Sequence, residues 1–227
     1  VKLPGRIENV EIVKKEKVGN PEESSYLTLY SLLVENTYTD GTKSAPYRYE
    51  AVLRKWLDAV VLVLWTQIDE KVCVCLRTSI RPPLLLRPMI DLPQPDDERY
   101  FAMLELPAGL IEASDQGEEG LRRRAAAETF EETGYQLSPN DFTPLGCRPF
   151  VTPGVIPEKM IFLTAKIADV GLRSLPEGDG SPSEEGADIM WVGVDEAVEM
   201  CNKGEIVDMK TELGIRRLGA LLMSETI

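Results

Sequence analysis

The chain predicts an α+β or α/β sandwich, and three features of the sequence point there. The first third consists of short β-rich runs separated by turn residues. Two apolar runs of strand length occupy the middle, in "DAVVLVLWTQIDEKVCVCLRTSI" (58–80). Beyond them, strand patterns and helix patterns follow one another to the end. No internal repeat and no heptad pattern interrupts this order.

From the start, "VEIVKKEKV" alternates, "SYLTLYSLLVENTY" is rich in β-formers, and "TDGTK" supplies a hairpin turn. "YRYEAVLRKW" continues the extended pattern, and "AVVLVLW" and "KVCVCLRTSI" read as two buried strands around the polar "QIDEK". The prolines of "RPPLLLRPMIDLPQPDDERY" (81–100) predict a loop, ordered in part by its leucines. "FAMLELPAGLIE" (101–112) is a strand that runs into a turn at Pro107 and Gly109. A helix follows from near Glu118 to Gly134, where glycine suits a left-handed C-cap. "FVTPGVIPEKMIFLTAKIA" reads as a turn-rich loop and then a strand, and "PEGDGSPSEEGAD" (176–188) as a flexible acidic loop. "IMWVGVDEAVEMCNKGEI" is a strand followed by a helix, and "TELGIRRLGALLMSE" is a last helix.

The 227 residues, 43% hydrophobic, are enough for one large domain or two small ones. A formal charge of −13 argues against nucleic-acid binding, which needs a basic face. No stretch is long and apolar enough to cross a membrane, the first residues lack a secretory pattern, and a cytoplasmic location is expected. The four cysteines are too few and too scattered for a disulfide framework; Cys73 and Cys75 read as buried reduced thiols on one face of a strand. There is no histidine, which removes Ser-His-Asp and Cys-His catalysis. Acid–base chemistry therefore falls to carboxylates, lysine, tyrosine or metal-bound water.

"RRRAAAETFEETGYQL" (122–137) holds the most informative pattern. On a helix, Glu128, Glu131 and Glu132 share one face, although like charges at these spacings repel by a few tenths of a kcal/mol per pair. Oxygen donors in one patch suit Mg²⁺ or Mn²⁺. Spacing alone also describes a solvated acidic helix face. A strand ending in "LPAGL", then a loop, then this helix would place backbone carbonyls and carboxylates around one pocket.

This arrangement resembles the Nudix hydrolases, whose signature ends in Arg-Glu, an apolar residue, any residue, Glu-Glu, any residue, Gly and an apolar residue. "ETFEETGY" (128–135) matches at Glu128, Glu131, Glu132, Gly134 and Tyr135, and "ELPAGLIE" (105–112) is similar to the lead-in of the ADP-ribose pyrophosphatase branch. Ala127 stands where that signature has arginine, Thr129 where it has an apolar residue, and the segment from Gly109 to the helix is longer. Either Glu118 or Glu119 takes the place of its first glutamate. Arg124, one turn before Glu128, is expected to take over the orienting work of the missing arginine.

The resemblance implies an α/β/α sandwich with a mixed sheet over residues 56–227, preceded by an antiparallel β subdomain over 1–55 that forms a homodimer. It implies hydrolysis of a nucleoside diphosphate linked to another moiety, with ADP-ribose giving AMP and ribose 5-phosphate. It assigns Mg²⁺, with Mn²⁺ as a substitute, to Glu128, Glu131, Glu132 and the Ala108 carbonyl. Glu185 or its neighbour Glu184, in "SEEGADI", is the implied catalytic carboxylate, with Glu131 a further candidate. For the substrate it implies Tyr49 against the adenine, Arg54 and Arg81 on the diphosphate, and Pro153 and Glu158 in "TPGVIPE". A nucleotide-binding regulatory domain of the same fold, or a pyrophosphatase for another nucleotide sugar, is the alternative.

Overall fold

A computed structural model describes residues 5–18, 26–96, 99–176 and 187–225. The chain divides into two compact units: the stretch up to Leu57 with Phe150–Lys159, and Asp58–Pro149 with everything from Met160 on.

In the first unit, β1 (Ile7–Lys17), β2 (Leu27–Tyr38) and β3 (Tyr47–Arg54) form an antiparallel sheet in that order. The predicted turn uses its own polar chemistry: Asp40 Oδ1 accepts from the Thr42 N–H at 2.9 Å, and Gly41 takes φ +81°. Every residue of β1 is exposed, including Ile7, Val10, Ile12 and Val13.

The second unit is built on β4 (Ala59–Ile68) and β5 (Lys71–Ile80), an antiparallel pair closed by a tight turn at Asp69 and Glu70, both at positive φ. β6 (Ala102–Glu105) pairs with β5, and β7 (Ala108–Leu110) with β4. After helix α1 (Gly117–Thr133) comes β8 (Thr143–Pro144); β9 (Phe150–Thr152) and the start of β10 (Ile156–Lys166) belong to the first unit, and the rest of β10 and β11 (Ile189–Gly193) to the second. Helices α2 (Val194–Lys203) and α3 (Met209–Glu225) complete the chain. The main strand order is β11-β5-β4-β10-β8, and the β4–β10 pairing is parallel among antiparallel neighbours, so the sheet is mixed.

Successive strand side chains point to opposite faces, and β4 shows why its sequence is a continuous apolar run. Val61 and Val63 enter one core with Val74, Leu76, Leu106, Phe162, and Ile215 and Leu218 of α3. Val60, Leu62 and Leu64 enter another with Cys75, Leu163, and Leu121 and Ala125 of α1. A strand covered on both faces has no polar side to alternate with. The result is an α+β fold with helices on both faces of a mixed sheet. Cys73 and Cys75 are buried free thiols, and burial pushes the Cys75 thiol up to about 12.

The proline-rich segment differs from the expected loop. Pro82–Met89 winds into a 3₁₀-helix, with the Leu84 N–H bonded to the Arg81 carbonyl at 3.0 Å. Proline at the start has its φ already set near the helical value and forfeits an N–H that would have no intrahelical partner. None of its residues is buried. Among the described residues, no helix is long and apolar enough to cross a membrane.

Candidate functional site

Helix α1 is fixed at both ends before it presents any carboxylate. At its start, Asp115 Oδ2 accepts from the Glu112 N–H at 2.9 Å and from Arg124 Nε at 2.8 Å. Burial raises the Asp115 carboxyl, but the Glu112 N–H and the Arg124 guanidinium outweigh it and hold the group below its ordinary value. At its end, Gly134 takes φ +76° and its N–H bonds the Phe130 carbonyl at 2.9 Å. A side chain there would be strained and would run into the Ser174 carbonyl. Arg173 Nε donates to the Thr133 carbonyl at 2.9 Å, placing a cation at the negative end of the helix.

Thr129, an unexpected residue for an apolar position, is fully buried, and its hydroxyl donates to the Ala125 carbonyl at 2.7 Å. Satisfying its own hydrogen bond within the helix lets threonine occupy the core. Ala127, in place of the signature arginine, is exposed.

The opposite side of the helix meets β7. Ala108, Gly109, Leu110, Glu112, Arg124, Glu128, Glu131 and Glu132 line a cleft of about 320 Å³. The sequence-predicted Ala108, Glu128, Glu131, Glu132 and Arg124 are therefore brought together, and Glu112 joins them. Arg124 Nη1 lies 3.5 Å from Glu128 Oε1, and its Nη2 lies 3.4 Å from Glu112 Oε1. Burial opposes the charge on Arg124, but Asp115, Glu128 and Glu112 together raise its pKa above the ordinary value.

Gly109 makes the close approach of β7 and α1 feasible, because a Cβ at that position would fall inside the Glu128 carboxyl group. Gly109→Ala is therefore expected to push the Glu128 side chain aside. Proposed Mn²⁺ binding at this cleft, measured by titration calorimetry, should weaken by about 10-fold or more, as when other groups that orient a metal ligand are removed. The far-ultraviolet circular dichroism spectrum should stay unchanged.

Glu132 is buried and held from two sides. Its side chain is 9% exposed; one carboxylate oxygen pairs with Arg77 Nη1, and the other accepts the Ala108 N–H at 2.8 Å. Arg77, on β5, is itself buried. The sequence reading missed it, since a lone arginine in "CLRTSI" gives no hint of its partner.

The cleft fits a hard divalent cation by the chemistry of its donors: four carboxylates line it beside one guanidinium. Among the described residues, no three acidic or cysteine side chains converge as a ready-made cage. Mg²⁺ commonly takes one or two protein carboxylates and completes its shell with water and substrate phosphate oxygens, so the set suits an ion that arrives with substrate.

Arg81 is engaged by Glu105, which accepts from its Nε at 2.7 Å and its Nη2 at 2.6 Å in a bidentate pair. Glu105 also pairs with Lys210 at the start of α3, and Lys210 Nζ reaches Asp208 Oδ2 at 2.8 Å. Burial pushes the Glu105 carboxyl up, but hydrogen bonds from Arg81 and the charge of Lys210 win and keep it below its ordinary value. The Arg81 guanidinium is about half exposed and its pKa is raised, first by the Glu105 hydrogen bonds and in smaller part by Asp208 and Glu132.

The remaining substrate candidates belong to the first unit. The Tyr49 hydroxyl donates to the Gly154 carbonyl at 3.1 Å, beside the exposed Pro153. Arg54 pairs with the buried Glu158 and donates to the Tyr26 hydroxyl at 3.1 Å and the Leu57 carbonyl at 3.2 Å. Glu184 and Glu185 lie outside the described residues.

No family model and no curated protein sequence matches the chain. Among solved structures it is similar to one described as an ADP compounds hydrolase, with a TM-score of 0.67 and 16% identity over 98% of both chains. At that identity the likeness is one of fold, and it spans both units described above.

Proposed function

We propose that the chain is a Nudix-type, metal-dependent hydrolase that cleaves the diphosphate of a nucleoside diphosphate linked to another moiety, with ADP-ribose as substrate. The observation that carries it is the carboxylate-lined cleft between β7 and α1, in a fold similar to that of an ADP compounds hydrolase. A divalent ion held by Glu128, Glu131 and Glu132, with the Ala108 carbonyl, would neutralise the diphosphate and acidify bound water.

The chain's own groups do the rest. Arg124 restrains Glu128 from one turn away, and the Ala108 N–H and Arg77 restrain Glu132. Arg81 uses Nε and Nη2 on Glu105, which leaves Nη1 for a phosphate oxygen. As the water oxygen attacks phosphorus and the bridging P–O bond breaks, its proton passes to a carboxylate oxygen. Glu131, partly exposed in the cleft, and Glu185 or Glu184 are the candidates for that base. Tyr49, Arg54, Pro153 and Glu158 are assigned to substrate recognition. Homodimer formation is part of the same proposal, supported by the exposed apolar side chains of β1.

The test is release of AMP and ribose 5-phosphate from ADP-ribose, followed by chromatography with and without Mg²⁺. Absence of turnover with ADP-ribose and with a panel of nucleotide sugars would defeat the proposal. A second reading, a domain that binds the nucleotide without cleaving it, draws support from Glu132, whose oxygens both already accept from protein donors. Calorimetric binding of ADP-ribose without turnover would establish that alternative.

A further inference from the structure

We infer that Arg77 is a positioning residue for the proposed metal cleft, acting through Glu132. The inference rests on the metal-site reading above and adds to it a residue from the sheet. Helix α1 carries the exposed Ala127 just before Glu128, so no guanidinium projects from that position. The sheet supplies one to Glu132. Arg77 is 7% exposed, and its Nη1 holds one Glu132 oxygen while the Ala108 N–H holds the other at 2.8 Å.

Arg77 is well placed for this work because its backbone cannot drift. It lies in β5 with Glu105 of β6 as register partner on one side and Ile189 of β11 on the other. Residues on paired strands hold a geometry more tightly than residues on loops. A carboxylate gripped by a guanidinium from the sheet and by the Ala108 N–H is fixed in rotamer and plane. Glu132 is thereby aimed from the sheet at the space it shares with Glu128 and Glu131. A flexible glutamate would have to be ordered each time an ion entered, at a cost in side-chain entropy.

Mn²⁺ alone, followed by electron paramagnetic resonance of the free ion, tests the inference on the full chain. Arg77→Met is expected to weaken Mn²⁺ binding by about 10–100-fold, the range typical of residues that orient a metal ligand. Glu132→Gln should weaken it comparably. In the double variant the Arg77 change should add less than about 3-fold, because residues acting through one another are not additive. Wild-type affinity in Arg77→Met, or a full additional loss in the double variant, overturns the positioning role. Should Arg77→Met fail to fold, Arg77→Lys keeps the charge without the planar fork. Binding several-fold weaker than wild type is then expected, and undiminished affinity in that folded variant is equally fatal. If Glu132→Gln binds Mn²⁺ as wild type does, the metal-site reading itself has failed, and the role of Arg77 falls with it.

Discussion

Glu128→Gln is expected to lower kcat for the proposed Mg²⁺-dependent release of AMP from ADP-ribose by about 10²–10³-fold, the loss typical when one preorganised electrostatic group is removed from a reacting centre. The substitution keeps the shape of the side chain and removes its charge and one oxygen donor. Space at this position is tight, because the carboxyl group lies against Gly109, so an isosteric change tests charge without disturbing packing. Stability should move the other way or not at all. Glu128 shares its helix face with Glu131 and Glu132, and relieving repulsion at these spacings is worth a few tenths of a kcal/mol each. Loss of the 3.5 Å contact with Arg124 returns a similar amount. Steady-state kinetics and urea denaturation of the same preparation measure both quantities. Unchanged kcat would remove Glu128 from the site, and a large loss of stability would make it a structural residue.

Glu105→Ala is expected to destabilise the second unit by about 1–3 kcal/mol at neutral pH, because Arg81 and Lys210 lose a buried charged acceptor while Lys210 keeps Asp208. Lys210 carries most of that effect, since its side chain is only 10% exposed, whereas Arg81 is about half exposed and its share is screened by water. The network joins the end of β5, through Arg81, to β6, through Glu105, and to the start of α3, through Lys210. Its dependence on pH has a definite sign. The folded state holds the Glu105 carboxyl below the ordinary value of 4.5, so the folded protein binds the proton more weakly than the unfolded chain does. The stabilisation is complete above that ordinary value and drains away as the pH falls through the lower, folded one. Urea midpoints across the acid range should therefore fall less steeply in Glu105→Gln than in wild type. A parallel fall in both would show that this carboxylate does not govern the acid limb.

Much of the architecture could be read from residue order alone, for reasons the structure makes plain. The uninterrupted apolar run of β4 needs burial on both sides, and two cores meet it. Gly134 ends α1 because only glycine takes that backbone conformation without strain where a carbonyl presses close. The gathering of Glu128, Glu131 and Glu132 with Ala108 follows from helical spacing and a short strand before the helix. Pairings between distant residues could not be read this way. Nothing about Arg77 announces Glu132, fifty-five positions later, and nothing about Arg81 announces Glu105 and Lys210. Such partners are chosen by strand register, which only the folded sheet defines. The 3₁₀ turns of Pro82–Met89 escaped for another reason: prolines signal the end of regular structure, yet they also begin short helices.

The parallel pairing of β4 with β10 carries a consequence for how the polypeptide is made. Val61 and Phe162 are neighbours in the finished sheet, but 162 − 61 = 101 residues of synthesis separate them. At translation speeds of roughly 5–20 residues per second, this continuous apolar strand waits about 5–20 s for its companion. During that interval its cover comes from the β5 hairpin, from β7 and from Leu121 and Ala125 of α1. The nascent chain thus spends its early life with this apolar segment half covered, the situation that chaperones meet at the ribosome exit.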